Sequence, residues 1–595
     1  MLKGHPKGLL VMFFSNMGER FGYYTMLAVF VLYLQAKFGY STAEAGRIYG
    51  GFLFGIYFLP LLGGYVADNI LGYGKTIALG TVVMFLGYVV LALPLFFPDM
   101  GLGMVILALV IISLGTGFFK GNLQALVGNL YDDPRYSKNR DNAFNIFYMG
   151  INIGAFFAPS AANAMGGWWL GRNGFEYSNR IPSLAHKYLG GNFDVTEKTR
   201  MVDQLQGFFG VDLSAVMTAV HANIEASMTT LTNFAVQQEA HGGTFESLSA
   251  FCDKYISVMG QSYNAAFGLA AISMVGSLFI FIAFRKYYKH ADLTEKQKAA
   301  SEEHKSQVVQ LTPQQTRDRL VALGFVFFVV MFFWMSFHQN GFSMTIFARD
   351  YTQSQVSRFD YLWFDLATFL PIIAALGGLI VLLRKTSSVL VRGIGAFSLA
   401  AGTWIAWTLY NQNAEGTMQI TPQLFQQFNP IFIVFMTPLI VGLFTWMRRY
   451  NKEPSAPRKI GIGMIITAVG FAIMMIAAYG LKSPGELQGG VSDSLVSPYW
   501  LMSTYFTLTI AELFLSPMGI SFVSKVAPPK YKGLMQGGWL AATAIGNLGA
   551  GLIGPLWDMW ELWQFFLLLV VLCTLSASFM FFMLKKLEKT TNETE

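Results

Sequence analysis

Several ionisable residues stand in stretches where their apolar neighbours should exclude them. Glu19 and Arg20 lie side by side in "NMGERFGYYTM", between "LLVMFFS" and "LAVFVLYL". Lys120 falls in "GTGFFKGNLQ", His338 in "FFWMSFHQNGFS" and Glu512 in "TLTIAELFLSPMGISF". At bilayer depth such side chains are costly unless they face a cavity or a partner. Asn16, Glu19, Arg20 and Tyr23 fall at i, i+3, i+4 and i+7, so a helix presents them on one face, and Tyr24 extends the stripe from Arg20. Alone, that face is equally a Glu–Arg pair neutralising itself against a neighbouring helix. Other stretches tip the balance. Gly115, Gly117 and Gly121 flank Lys120 and permit close backbone approach. "FNIFYMGINIGAFFAP" places Asn145, Tyr148 and Asn152 on one face, and Trp334 precedes His338 by one turn, with Gln339 beside it. Asn429 opens "FNPIFIVFMTP", Ser516 follows Glu512 by one turn, and Pro517 breaks the ladder there. Charges of both signs on three separate helices make a shared polar cavity near mid-membrane the economical reading.

The elements that must position these residues are membrane helices. Of 595 residues, 54% are hydrophobic and only 13% charged, against about 25% charged in soluble domains. The chain therefore reads as an all-α polytopic membrane protein. Spans of the length needed to cross a bilayer are expected at 9–36, 46–68, 75–97, 103–130, 141–166, 262–285 and 319–348, then at 362–383, 391–411, 429–447, 459–480, 498–526, 534–556 and 562–585. The expected count is fourteen. Lys75, Arg135, Lys138, Arg140, Arg384, Lys385, Arg392, Arg448, Arg449, Lys452, Lys525, Lys530 and Lys532 all fall in alternate connections. Connections such as "FPDMGLG" and "YNQNAEGTMQITPQ" hold almost no basic residue. The basic set marks the cytoplasmic side and puts both termini there. The net charge of +7 is thus a topology signal, and no nucleic-acid partner is implied. The start "MLKGHPKGLL" lacks a small-residue cleavage site and reads as an uncleaved first helix. Cys252 and Cys573 give no zinc or redox spacing, and neither a metal motif nor a Gly-x-Ser-x-Gly elbow is present. No enzyme, metal or cofactor is expected.

Residues 1–166 form helices one to five of an N-terminal half, and 262–286 its sixth helix. Residues 167–261 form an outer-side helical insertion, with helical periodicity in "DLSAVMTAVHANIEASMTTLTNFAVQQ". It reads as a spacer or stabilising cap that could offer a surface to an unidentified partner. Residues 287–318 form a charged cytoplasmic linker, 319–348 the seventh core helix, 362–411 an extra transmembrane hairpin, and 429–595 core helices eight to twelve with a short tail.

These motifs together resemble the proton-dependent oligopeptide transporters of the major facilitator superfamily. "NMGERFGYY" is similar to the family's Glu-x-x-Glu-Arg-Phe-x-Tyr-Tyr signature, with one departure. "GGYVAD", "GTGFFKGN", "FYMGINIG", "FNPIFI", "ELFLSPMG" and "GLMQGGWLAATAIGN" resemble further family motifs in the same order. The resemblance implies twelve core helices in two six-helix halves, with the hairpin added, and a central peptide pocket between the halves. It implies that Arg20 and Lys120 hold the peptide carboxylate and that Glu512 receives the amino terminus, assisted by Asn152 and Asn429. Tyr23, Tyr24, Tyr57, Trp334 and Trp539 would line side-chain subsites. A zwitterionic peptide needs a cation and an anion on opposite walls, and rocking of the halves about a fixed site gives alternating access.

Two departures bear on coupling. Asn16 occupies the first acidic position of the signature, and Leu27 stands where many relatives carry an Arg. With Asn16 unable to titrate, proton coupling is expected at Glu19, with Glu512 as the alternative and His338 third. The expected function is import of di- and tripeptides by proton symport in a bacterial inner membrane, with the proton as coupling ion. Carriage of another small anion or zwitterion, such as nitrate or an amino-acid conjugate, is the alternative of the same class. A transporter-like receptor or scaffold is the alternative of another class, and retention of Lys120 and Glu512 speaks against it.

Overall fold

In lipid the backbone has no water to bond with, so runs of Leu, Val, Phe and Gly satisfy their amides internally as helix. The computed structural model describes residues 4–191, 248–292, 311–384, 388–412, 418–487, 490–528 and 531–592, with the single positions 197, 200, 201 and 204. Among these residues the one sheet is an antiparallel pair of two-residue strands, β1 (Gln355–Val356) and β2 (Met418–Gln419), with Gln355 opposite Gln419. The predicted helical segment at 212–238 lies outside the described residues.

The N-terminal half comprises α1 (Gly8–Phe38), α2 (Thr42–Phe58), α3 (Pro60–Val66), α4 (Tyr73–Ala92), α5 (Leu102–Asn129), α6 (Arg140–Arg172), α7 (Ile181–Leu189) and α8 (Leu248–Ala283). The C-terminal half begins with α9 (Pro313–Phe337) and α10 (Ser343–Asp350). It continues with α11 (Leu366–Leu383), α12 (Val389–Gln412), α13 (Phe428–Arg449) and α14 (Ala456–Ala477). It ends with α15 (Tyr499–Val526), α16 (Lys532–Leu552), α17 (Gly554–Met559), α18 (Leu562–Phe582) and α19 (Leu584–Asn592). Eleven stretches of the described residues are long and apolar enough to cross a membrane. The expected spans 9–36, 141–166 and 498–526 fall on α1, α6 and α15, which are 31, 33 and 28 residues long and lie outside those eleven.

Helices α6 and α8 run past the expected spans into the outer insertion. The reason is a small aromatic core there. Phe175 packs edge-on against Tyr255 at 5.6 Å, Phe251 lies 5.9 Å from Tyr255, and the Tyr255 hydroxyl donates to the Glu176 carbonyl at 2.9 Å. The described ends of the 167–261 segment are therefore held together by extensions of α6 and α8. Helix α7 then returns against α1, where the His186 Nε2 lies 2.9 Å from the Ala36 carbonyl.

The hairpin α11–α12 packs chiefly on itself. Leu383, Val389 and Phe397 are 73%, 89% and 73% exposed, which suits side chains whose solvent is lipid tails.

Between described residues, the hydrogen bonds that join the two halves all lie toward one side, the one the basic-residue pattern assigns to the outside. Tyr49 donates to the His338 carbonyl at 3.2 Å, Arg349 to Gln35 at 2.8 Å, and Gln426 to the Ala28 carbonyl at 3.1 Å. Ser160 bonds Gln427 at 2.7 Å, Thr421 bonds Asn163 at 2.7 Å, and the Ala43 amide donates to Asp558 at 3.1 Å. Small residues allow this approach: a Cβ at Gly551 would lie 2.1 Å from the Gly46 carbonyl oxygen. Any side chain there would push α16 off α2.

Candidate functional site

The first wall of the site belongs to α1. Gly154 of α6 lets that helix approach so closely that a Cβ there would meet the Met17 carbonyl oxygen at 2.6 Å. The following turn of α1 is buried as a result. Glu19 is 1% and Arg20 4% exposed, and the guanidinium holds the carboxylate with two bonds, Nε to Oε2 and Nη2 to Oε1, each 2.5 Å. A parallel two-bond pair is the strongest geometry such groups adopt. The Arg20 guanidinium also lies over the Tyr23 ring at 4.6 Å, and Tyr23 meets Tyr24 edge-on at 5.0 Å.

Lys120 projects from α5 toward the same place. Its ammonium lies 3.6 Å from the centroid of the Tyr57 ring of α2. It interacts electrostatically with both Arg20 and Glu19, yet among the described residues it forms no ion pair. One cation of this wall is thus neutralised and the other is held by an aromatic face alone.

The second wall comes from the other half. Asn429 of α13 donates its amide to Glu512 Oε2 at 3.0 Å and to Thr509 Oγ1 at 3.1 Å. Thr509 and Glu512 share a face of α15 because they are three residues apart. Among the described residues no cation pairs with Glu512. The walls face each other electrostatically, since Tyr24 and Tyr57 each interact with Glu19, Arg20 and Glu512. Aromatic rings close one end: His338 lies 5.9 Å from Tyr57 and 5.4 Å from Trp334, and the buried His338 Nε2 and Trp334 Nε1 have no hydrogen-bond partner.

The structure thus gathers Glu19, Arg20, Tyr23, Tyr24, Tyr57, Lys120, Trp334, His338, Asn429 and Glu512. Asn152 donates to the Tyr148 carbonyl of its own helix at 3.1 Å rather than to the Asn429–Glu512 pair. Trp539 lies against α15 so tightly that a Cβ at Gly519 would fall 1.9 Å from its ring. Asn16 is buried with its amide nitrogen unpartnered. Sequence reasoning missed Thr509, although its spacing to Glu512 was available. It also missed Tyr49, whose hydroxyl pins the His338 carbonyl from across the halves; nothing local marks that residue.

Comparison with known proteins finds a likeness for this arrangement. The sequence profile of the POT family (PTR2) matches residues 74–184 and 401–562. Peptide transporter YePEPT of Yersinia enterocolitica subsp. palearctica is 27% identical, over 93% of this chain and 88% of its own length. A di-/tripeptide transporter of Lactococcus lactis subsp. cremoris is also 27% identical, over 91% of this chain and 87% of its own. The chain is similar to transporters of the POT family. Its fold is that of solved POT transporters, a major-facilitator arrangement of membrane helices. The crystal structure of a peptide transporter POT in complex with sulfate aligns with TM-score 0.62 at 20% identity, covering 99% of this chain and 96% of that one. That of a POT family transporter in complex with 5-aminolevulinic acid aligns with TM-score 0.63 at 20% identity, covering 99% and 98%. With eleven described stretches long and apolar enough to cross a membrane, the chain is an integral membrane protein, and the polar constellation above lies among its membrane helices.

Proposed function

We propose that this protein is a secondary active importer of di- and tripeptides that works by proton symport with alternating access. The observation that carries the proposal is the opposition of two walls. Arg20 and Lys120 stand on the N-terminal half, and Glu512, oriented by Asn429, stands on the C-terminal half. A short peptide at neutral pH carries a carboxylate and an ammonium at a separation set by its backbone, and these walls would take one end each. The names of the relatives, peptide transporter and di-/tripeptide transporter, support the same substrate class. Tyr23, Tyr24, Tyr57 and Trp334 would line the side-chain subsites. The hydrogen bonds joining the halves toward the outer side support a carrier closed to the outside. The basic connections support cytoplasmic termini and a bacterial inner-membrane location. Rupture of the outer contacts, with the site kept between the halves, would expose it to the other side.

The test is uptake of a labelled dipeptide into proteoliposomes under an imposed pH gradient, inside alkaline. Accumulation that unlabelled di- and tripeptides compete away is the expected outcome. Uptake indifferent to competing peptides would overturn the substrate assignment, and uptake indifferent to the gradient would overturn proton symport.

A further inference from the structure

A second cavity, of about 460 Å³, lies toward the outer side and draws its walls from α1, α2, the insertion, α8, α10 and α17. Sites that hold small molecules typically measure ~300–1,000 Å³. Along α2 the contacts at Tyr49 and Gly50 separate Glu44, which lines this cavity, from Tyr57 of the central cluster. The cavity is therefore a separate space while the halves are closed on the outer side.

Its charges do not balance. Arg349 lines it but is spent on Asp350, with bonds of 2.7 and 2.8 Å. Lys187 lines it but is paired with Glu197. Burial holds the His186 imidazole below its ordinary pKa, so that ring adds no charge at neutral pH. Glu44 and Asp558 remain. Among the described residues neither has a cation: Glu44 accepts from the Ser41 amide and hydroxyl at 2.9 and 2.8 Å, and Asp558 accepts from the Ala43 amide at 3.1 Å. A further observation points to a ligand. Tyr351 lines the cavity fully buried, and its hydroxyl interacts electrostatically with Asp350 and Asp558 but has no hydrogen-bond partner. Tyrosine and tryptophan rings, which favour cations over their faces, complete the lining.

We propose that this cavity is an outer binding site for a primary ammonium on a peptide-sized ligand, occupied while the central site is closed to the outside. That the ligand is a peptide rests on the function proposed above; that it carries an ammonium rests on Glu44 and Asp558. The site would gather the amino end of an incoming peptide at the outer ends of α2 and α17, the elements whose parting opens the central site.

The probe is dialaninamide, which carries an ammonium and no carboxylate, titrated calorimetrically against the purified full-length chain. Glu44→Gln keeps a residue type the helix-capping box accepts, and Asp558→Asn keeps a carbonyl oxygen for the Ala43 amide. In a Lys120→Ala/Glu512→Gln background, which disables the central walls, binding should persist. Adding the Glu44 and Asp558 changes should weaken it at least tenfold, and N-acetyl-dialanine should not bind that background. Loss of all binding in the background alone, or equal binding after the outer changes, overturns the site. Propylamine binding as tightly as dialaninamide overturns the peptide as its ligand. On an otherwise unaltered chain, the outer changes should raise the KM for uptake from the outside severalfold. They should leave the KM measured from the cytoplasmic face unchanged, a sidedness that general destabilisation would not give. If the unaltered chain moves no peptide while this binding pattern holds, the carrier reading fails and the ammonium site stands.

Discussion

The Lys120 ammonium sits 3.6 Å from the centre of the Tyr57 ring, and among the described residues it has no carboxylate partner. An aromatic face stabilises a desolvated cation by about 2 kcal/mol, less than an ion pair inside a protein supplies. Lys120 is therefore the cation best placed to accept a new anion. Lys120→Ala should lower transport of free peptides by about two to four orders of magnitude, because stranding a buried charge costs roughly 3–5 kcal/mol. Converting the substrate's own carboxylate to an amide should weaken it for the unaltered protein to a similar degree. Transport by the Lys120 variant at the unaltered rate would remove the carboxylate assignment.

Glu512 and Asn429 make the complementary case. The carboxylate receives one amide hydrogen bond, at 3.0 Å, and no cation among the described residues. A hydrogen bond to a charged group contributes about 1.5–3 kcal/mol, which leaves Glu512 short of the stabilisation an ammonium would add. Glu512→Gln should weaken peptides with a free amino terminus at least tenfold and N-acetylated peptides much less, as read from competition for labelled dipeptide. Equal loss for both would make Glu512 a structural or coupling residue.

How much of this was legible beforehand depends on what kind of contact each residue makes. Contacts within one helix follow from spacing, so the shared face of Glu19, Arg20 and Tyr23 was readable from the sequence, with a self-neutralising Glu–Arg pair as one of two readings of it. The Thr509–Glu512 spacing was equally readable and was passed over. Contacts between helices were not. Lys120 on Tyr57, Asn429 on Glu512 and Trp539 on Gly519 depend on how helices cross, which no local pattern fixes. Resemblance pointed to one of them, Asn429 beside Glu512. The extension of α8 back to Leu248 was hidden for another reason. Its first turns are amphipathic, burying Phe251 and Tyr255 against Phe175, so no continuous apolar run marks its start.

At the loop between α13 and α14, Glu453 holds two cations, Arg448 at 2.5 Å and the buried Lys459 at 2.5 Å. Lys459 also lies 4.0 Å over the Phe444 ring and 3.7 Å from the Met518 sulfur of α15, the helix that carries Glu512. The hydrogen bond from Arg448, and after it the bond and charge of Lys459, hold the Glu453 carboxyl down at about 2. A carboxyl depressed by folding stabilises the fold above its ordinary value of 4.5 and loses that contribution as pH falls from there through about 2. Glu453→Gln should therefore cost on the order of 2 kcal/mol at neutral pH, seen as a lower Tm in detergent. The gap from the unaltered protein should narrow steadily below pH 4.5. A gap that is constant down to pH 3 would mean the ionised carboxylate is not what holds Lys459.

Arg20 neutralises Glu19 through two bonds of 2.5 Å, while Lys120 interacts with both but bonds to neither. A peptide carboxylate reaching this wall would find Lys120 unpaired and would draw on Arg20 as well. Whatever share of Arg20 it takes is taken from Glu19, which is 1% exposed. A buried carboxylate deprived of its counter-charge gains affinity for a proton. Substrate binding and proton binding are then linked, and linkage of this kind is reciprocal. Asn16, one turn earlier, cannot take the role because its amide does not titrate. Glu19→Gln should therefore retain counterflow of labelled against unlabelled peptide, which needs no net proton movement, and lose accumulation driven by a pH gradient. Uphill accumulation by that variant would move the coupling role to Glu512 or His338. A variant that loses counterflow and accumulation together would show that the ionised Glu19–Arg20 pair holds the site's shape, and Glu19→Asp, which keeps the charge, should then recover counterflow.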